Sequence, residues 1–282
     1  MEIRRAQFMG SWYPASENEC REKIEDFIAD LPQVKPEVKR IGGIVPHAGW
    51  VYSGKIAAQV IAALKKNNPP DVIAVFGMHL GPRHPNFIMA SGAWETPFGP
   101  LAIAEDVAGQ LAKGFRFEIE SPDRHVQDNT IELQLPFIKY FFPDVRIVPI
   151  GVPPVSRSLA IGEAFVDIAR HFGYTAKVIG STDLTHYGAN YGFSPVGSGP
   201  KAIQWVKNEN DKKLVERIEA MDPQGVIDQA MENSNACCGG AAAAAMAAAK
   251  SLGAEKSQIL AYSTSCDVVP NESFVGYVGA IF

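Results

Sequence analysis

The stretch Ile41–Gly54, IGGIVPHAGWVYSG, decides the fold. Its opening residues, Ile41–Pro46, are a short apolar run that reads as a buried strand. His47 follows, then a glycine-containing turn, then a helical pattern over Gly54–Lys66 with Ile56, Val60, Ile61 and Leu64 on one face. Strand, turn and helix in this order are the unit of α/β proteins, whose ligands gather at the carboxyl ends of strands. His47 therefore stands where chemistry is expected.

Outward from this unit the pattern repeats. Asp71–Gly77 (DVIAVFG), Val145–Val152 and Ala176–Ser181 are further buried-strand runs, and Ser158–Phe172 is a helix between the last two. Phe87–Ser91 and Leu101–Ala104 are extended pieces around a turn-rich segment. Thr130–Phe142 is amphipathic, with Pro136 bending or interrupting its helix. Helices over Ala202–Met221, Pro223–Met231 and the alanine-rich Gly240–Leu252 precede closing strands at Gln258–Ser263 and Phe274–Phe282. Strands alternating with helices imply a mixed, largely parallel sheet covered on both faces, a three-layer α/β sandwich. The loop Gly188–Pro200 is the one candidate linker, but it is short and strands continue beyond it. The expectation is a single domain over 1–282.

Composition narrows the function. A net charge of −5 without a basic stripe gives no electrostatic support for a nucleic-acid partner. Four cysteines at irregular spacing do not make a disulfide framework and suit a reducing compartment. The first residues lack an apolar signal core, and no run approaches the roughly 20 apolar residues of a membrane span. A cytoplasmic protein with no membrane partner is expected.

His79 repeats the placement of His47, just past the run Asp71–Gly77. If the two strands are neighbours, their ends lie roughly 4.8 Å apart, and two imidazoles can converge on one ion. Asp183 and His186 follow the run ending at Ser181. One helical turn would put this carboxylate and imidazole on a common face, as an acid/base pair requires. Cys237 and Cys238 precede the alanine run, at a helix N-terminus where the macrodipole favours a thiolate, so Cys238 is expected to react faster than Cys20, and either sulfur of the pair could serve metal or redox chemistry. Two imidazoles and a thiolate are a metal-ligand set. His84, in the loop Gly81–Pro85, competes with His79 for the metal. His125 falls in a polar loop, His171 at a helix end, and Cys20 in an amphipathic N-terminal segment.

With these residues in view the chain resembles the Memo family, which shares its fold with the class III extradiol ring-cleaving dioxygenases. Gly10-Ser11-Trp12-Tyr13-Pro14 looks like the family's opening G-x-[FW]-Y-P, and Pro46 to Gly54 is similar to PHAGY-x-YSG, the most specific piece. Gly92 to Gly99 is similar to GAWETPLG, Thr130 to Pro136 to SIE-x-QLP, Ser181 to Gly188 to SSD-x-[ST]H-x-G, and Cys238-Gly239 to the CG that opens a late helix. No single motif decides; six in order cover the chain nearly end to end.

The resemblance implies a metal held by His47, His79 and Cys238, with His186 and Asp183 as catalytic neighbours. Iron(II) is the cofactor expected first, with copper or zinc as alternatives. The implied activity is that of an iron-dependent oxidoreductase acting on a small-molecule substrate, an aromatic one among the candidates. In that mechanism His186 is the acid/base and Asp183 orients it. The rival from another class is a Memo-type scaffold that binds a peptide without turnover, or a partner of a radical-SAM protein; a zinc hydrolase fits the ligand set too. Three departures from the family pattern stand out. Gly77-Met78-His79 is one residue tighter than the family's GPNH, which Gly81-Pro82-Arg83-His84 copies better locally. His79 is preferred because its 13-residue separation from Gly92 fits the family spacing. Asn129 stands where the family usually has a histidine, and Cys237 doubles the cysteine.

Overall fold

A computed structural model describes residues 2–66 and 69–282. The first half of the chain runs β1 (Ile3–Arg4), α1 (Glu17–Ile28), β2 (Gly42–Val45), α2 (Trp50–Ala63), β3 (Val72–Gly77), β4 (Asn86–Met89), β5 (Ala93–Trp94), β6 (Leu101–Ala102), α3 (Glu105–Gly114), β7 (Phe117–Glu120), α4 (Asn129–Glu132) and α5 (Leu135–Phe141). The second half runs β8 (Arg146–Gly151), α6 (Arg157–His171), β9 (Ala176–Ser181), β10 (His186–Tyr187), α7 (Pro200–Trp205), α8 (Asp211–Glu219), α9 (Pro223–Asn233), α10 (Gly239–Ser251), β11 (Gln258–Thr264) and β12 (Phe274–Ile281).

Nine strands form one sheet, ordered β10-β12-β2-β9-β3-β8-β4-β7 with β11 on the outer side of β12. Its centre, β2-β9-β3-β8, is parallel. β12 runs antiparallel and pairs with β10 near its start and with β2 at its end. β1, β5 and β6 form a separate small sheet. α2 packs on β2, β11 and β12, while α10 packs on β2, β3 and β9, so helices cover both faces of the expected mixed sheet.

The alanine run has a packing reason. All residues from Gly239 to Ala249 are buried between the sheet and α6. A Cβ on Gly162 of α6 would strike the Ala244 carbonyl, and one on Gly180 of β9 would lie 2.9 Å from the Ala245 Cβ. Only small side chains allow backbones this close, and a larger residue at Ala245 would overpack the layer by about 1–3 kcal/mol.

Several expectations need correction. β2 and β3 are not neighbours: β9 lies between them, parallel to both. The Thr130–Phe142 helix is interrupted as Pro136 implies, because Pro136 lacks an N–H to continue the first piece and instead sits in the opening turn of α5. The helix after His47 starts at Trp50 rather than Gly54. The Ala202–Met221 segment is interrupted by a π-helical turn, Val206–Asn210. Asp183 and His186 do not share a helical turn; the chain leaves β9 and re-enters the sheet as β10, with His186 opposite Val275.

Candidate metal centre

Three parallel strands end side by side, and each delivers one polar side chain two residues past its last position. His47 follows Val45 of β2, Asp183 follows Ser181 of β9, and His79 follows Gly77 of β3. Because β9 is central, the two histidines reach toward each other across its end, with ring centroids 5.0 Å apart and planes nearly perpendicular at 86°. Cys238 is the N-cap residue of α10, the helix packed beneath these strands. Cys237 precedes it and is fixed by its backbone N–H donating to the Asp183 carbonyl at 3.2 Å.

The four ligand atoms of His47, His79, Cys237 and Cys238 lie within 4.8 Å of one another. His47 Nε2 is 3.3 Å from Cys237 Sγ, and His79 Nδ1 is 3.5 Å from Cys238 Sγ. Sequence reasoning missed what aims His47. The Ser181 hydroxyl donates to the Thr130 carbonyl at 2.7 Å, so it can only accept from His47 Nδ1, 2.9 Å away. That keeps a proton on Nδ1 and makes Nε2 the nitrogen that faces the sulfurs, the way outer partners orient metal-binding imidazoles. Asp183 accepts the His47 backbone N–H at 2.8 Å and lies 3.8 and 3.9 Å from the Nε2 atoms of His47 and His186. Thr130 Oγ1 accepts the N–H of Met78 at 2.7 Å, holding that residue at a φ of 71° just before His79.

Comparison with known proteins fits this geometry. Residues 4–281 match the family model described as Memo-like protein. The chain belongs to the Memo-like family. It is 31% identical to a MEMO1 family protein of Pyrococcus abyssi, covering 99% of both chains, and 30% identical to one of Pyrococcus furiosus, covering 99% of this chain and 98% of that one. A MEMO1 family protein of Methanopyrus kandleri is 32% identical over 97% of this chain and 96% of its own. Among solved structures, an uncharacterized protein of Escherichia coli shares the fold, with a TM-score of 0.52 at 10% identity over 86% of this chain and 99% of that one.

In this Memo-like protein the two sulfurs at the helix N-terminus are not equivalent. Burial pushes both sulfurs up, and for Cys238 the neighbouring Cys237 adds to that effect. For Cys237 the opposing influences win: a hydrogen bond from Cys238 and the charge of His47 hold it well below the usual thiol range. Burial lowers the His47 pKa, but the charges of Asp183 and Cys237 overcome it and push it up to about 9. His186 is also raised, burial being outweighed by Cys237 and Asp183, while burial raises Asp183.

The cluster opens onto a cleft of about 900 Å³ whose wall includes Trp12, Trp50, Tyr52, Tyr191 and Tyr277, together with His47, His79, Asp183 and His186. His186 stacks at a tilt against Tyr191, with centroids 4.9 Å apart. Asn129, in the family's histidine position, lines the same cleft and donates to the His47 carbonyl at 3.1 Å. His84 stays outside the cluster in an exposed loop, where its Nδ1 accepts the Gly81 N–H at 2.7 Å. His125 lies near the Ser121 carbonyl at 3.3 Å and is not in the cleft wall.

Proposed function

We propose that this Memo-like protein is a metal-dependent oxidoreductase whose ion is held by His47, His79 and Cys238, with iron(II) as the working metal. The carrying observation is the convergence of two imidazoles and two sulfurs from three separate chain segments at the base of one cleft. Beside them, among the described residues, the buried Nε2 of His186 has no hydrogen-bond partner and stays available to a molecule bound in the cleft. Polar atoms left in that state cost free energy unless a ligand completes them.

Iron(II), when bound, supplies the redox chemistry by which dioxygen and an electron-rich substrate react. The protein's own groups do the rest. Ser181 keeps the His47 proton on Nδ1. Asp183 braces the loop through the His47 N–H and faces His186. His186 Nε2 is the site at which a substrate proton is taken up and returned. The aromatic wall receives a flat substrate and keeps water from the reacting atoms. Free cysteines are in keeping with a cytoplasmic setting, and among the described residues no helix is long and apolar enough to cross a membrane.

Protein purified anaerobically should carry stoichiometric iron by elemental analysis and consume oxygen in the presence of a catechol. A metal-free protein that fails to take up iron would refute the reading. A second reading, a peptide-binding pocket without turnover, draws on the exposed rim of the cleft, where Trp12 and Tyr191 are 40% and 45% accessible. Peptide binding by metal-free protein, with no oxygen uptake by the iron-loaded form, would favour it.

A further inference from the structure

The doubled cysteine has a geometric meaning. A tetrahedral centre with metal–sulfur bonds of about 2.3 Å and metal–nitrogen bonds of about 2.0–2.1 Å has edges of about 3.8 Å between two sulfurs and about 3.5 Å between sulfur and nitrogen. The corresponding separations are 3.7 Å for Cys237 Sγ to Cys238 Sγ, 3.3 Å for Cys237 Sγ to His47 Nε2 and 3.5 Å for Cys238 Sγ to His79 Nδ1. A hydrogen bond would account for any one of these edges alone. Three at once, among four atoms that all lie within 4.8 Å, describe a vertex set around a common centre.

We propose that Cys237 is a fourth ligand, so that this chain binds its ion in a closed two-sulfur, two-nitrogen tetrahedron. The inference rests on the metal-centre reading above and alters its resting state. Where three residues would leave a position open, the Cys237 sulfur occupies it. Cys237 Sγ also accepts the Asp183 N–H at 3.3 Å, and Thr182 Oγ1 lies 3.8 Å away, the kind of outer contacts that hold a ligand in place. The ligand class that suits this set is a divalent transition ion that takes thiolate and imidazole donors together, the iron(II) of the reading above with cobalt(II) as its spectroscopic probe. Two thiolates also neutralise a divalent charge that a single thiolate would leave half-balanced.

Cobalt(II) titrated into the full-length, metal-free protein under anaerobic conditions tests this directly. The wild type should bind one equivalent and show visible bands of tetrahedral cobalt with a near-ultraviolet band from two thiolates. Cys237→Ser should lose roughly half of that near-ultraviolet intensity and bind cobalt at least about tenfold more weakly, whereas Cys266→Ser should match the wild type. A Cys237→Ser spectrum and affinity equal to wild type would overturn the fourth ligand while leaving the metal centre intact. Folded wild type that binds no cobalt would overturn both. Should Cys237→Ser fail to fold, alkylation of the wild type decides. Cobalt must protect Cys237 and Cys238 together while Cys266 still reacts, and alkylation of Cys237 at its metal-free rate would refute the proposal.

Discussion

Two buried polar clusters sit one residue apart on the chain and behave oppositely. Thr185 belongs to a knot around Asp211, a fully buried carboxylate that accepts from the Thr185 N–H at 3.0 Å, from the Thr185 hydroxyl, and from Tyr262 Oη at 2.7 Å. Asn210 completes the knot by donating to Thr185 Oγ1 at 2.9 Å and to the Asn233 carbonyl at 3.1 Å. Donors there meet acceptors. His186, the next residue, faces a group in which imidazole nitrogens and sulfurs converge on one point, and among the described residues its own Nε2 has no hydrogen-bond partner. The first cluster is complete as protein. Under the metal-centre proposal the second is completed by a cation, and the contrast between matched and converging polar groups says more about the two clusters than burial does.

The contrast can be broken at its strongest point by His47→Ala. This change should abolish stoichiometric metal in elemental analysis, a loss well beyond the roughly 10–100-fold typical of outer-shell changes, while His84→Ala leaves the metal in place. Retention of the ion by His47→Ala would remove the basis for calling the cluster a metal site. His186→Ala should keep nearly all the iron and lower turnover by roughly 10²–10⁴, the usual contribution of a general acid–base group. If its metal disappears as completely as in His47→Ala, His186 is a ligand and not a proton carrier.

The Asp211 knot should respond to pH and not to metal. Burial raises the Asp211 pKa to about 6 in the fold against 3.8 for an ordinary aspartate, so the folded protein holds the proton more tightly than the unfolded chain. Its stabilising contribution is therefore full below pH 3.8 and lost as pH rises through 6, a change of about 3 kcal/mol. Denaturant midpoints measured across that window should fall for wild type relative to Asp211→Asn, with metal content equal in both at neutral pH. A parallel pH dependence in the two proteins would refute the assignment. The smallest expected effect is that of Ser181→Ala, which removes the acceptor for His47 Nδ1 and should weaken metal binding by about 10–100-fold without changing the number of ions bound. Unchanged affinity would mean that packing alone aims His47.

Much of the site could be read from the sequence because it lies at strand ends. His47, His79 and Asp183 each follow an apolar run closely, and the alanine run marks where the cysteines enter a helix. Strand order could not be read this way. Placing β9 between β2 and β3 depends on crossovers that leave no local mark, and Ser181 gains its role from that central position. Sequence pattern also could not rank the two sulfurs, since both adjoin the same helix N-terminus. Their difference comes from tertiary neighbours: Cys237 beside His47 and Asp183, Cys238 beside His79. The Asp183–His186 proximity was expected for the wrong reason. A return into the sheet through β10, not a helical turn, brings them together.

Met78 holds a left-handed backbone conformation that a side chain with a long stem adopts at a cost, and it lies over Gly151 at the end of the adjacent strand. A Cβ added at Gly151 would run into the sulfur of Met78 and come within 2.9 Å of its Cγ and 3.1 Å of its Cβ. The two positions are thus tied in descent. Among variants of this sequence, position 151 can acquire a side chain only after position 78 has given up most of its own, and the reverse order leads through a clash at the base of the loop that carries His79. A library that varies position 151 alone should therefore return mostly glycine.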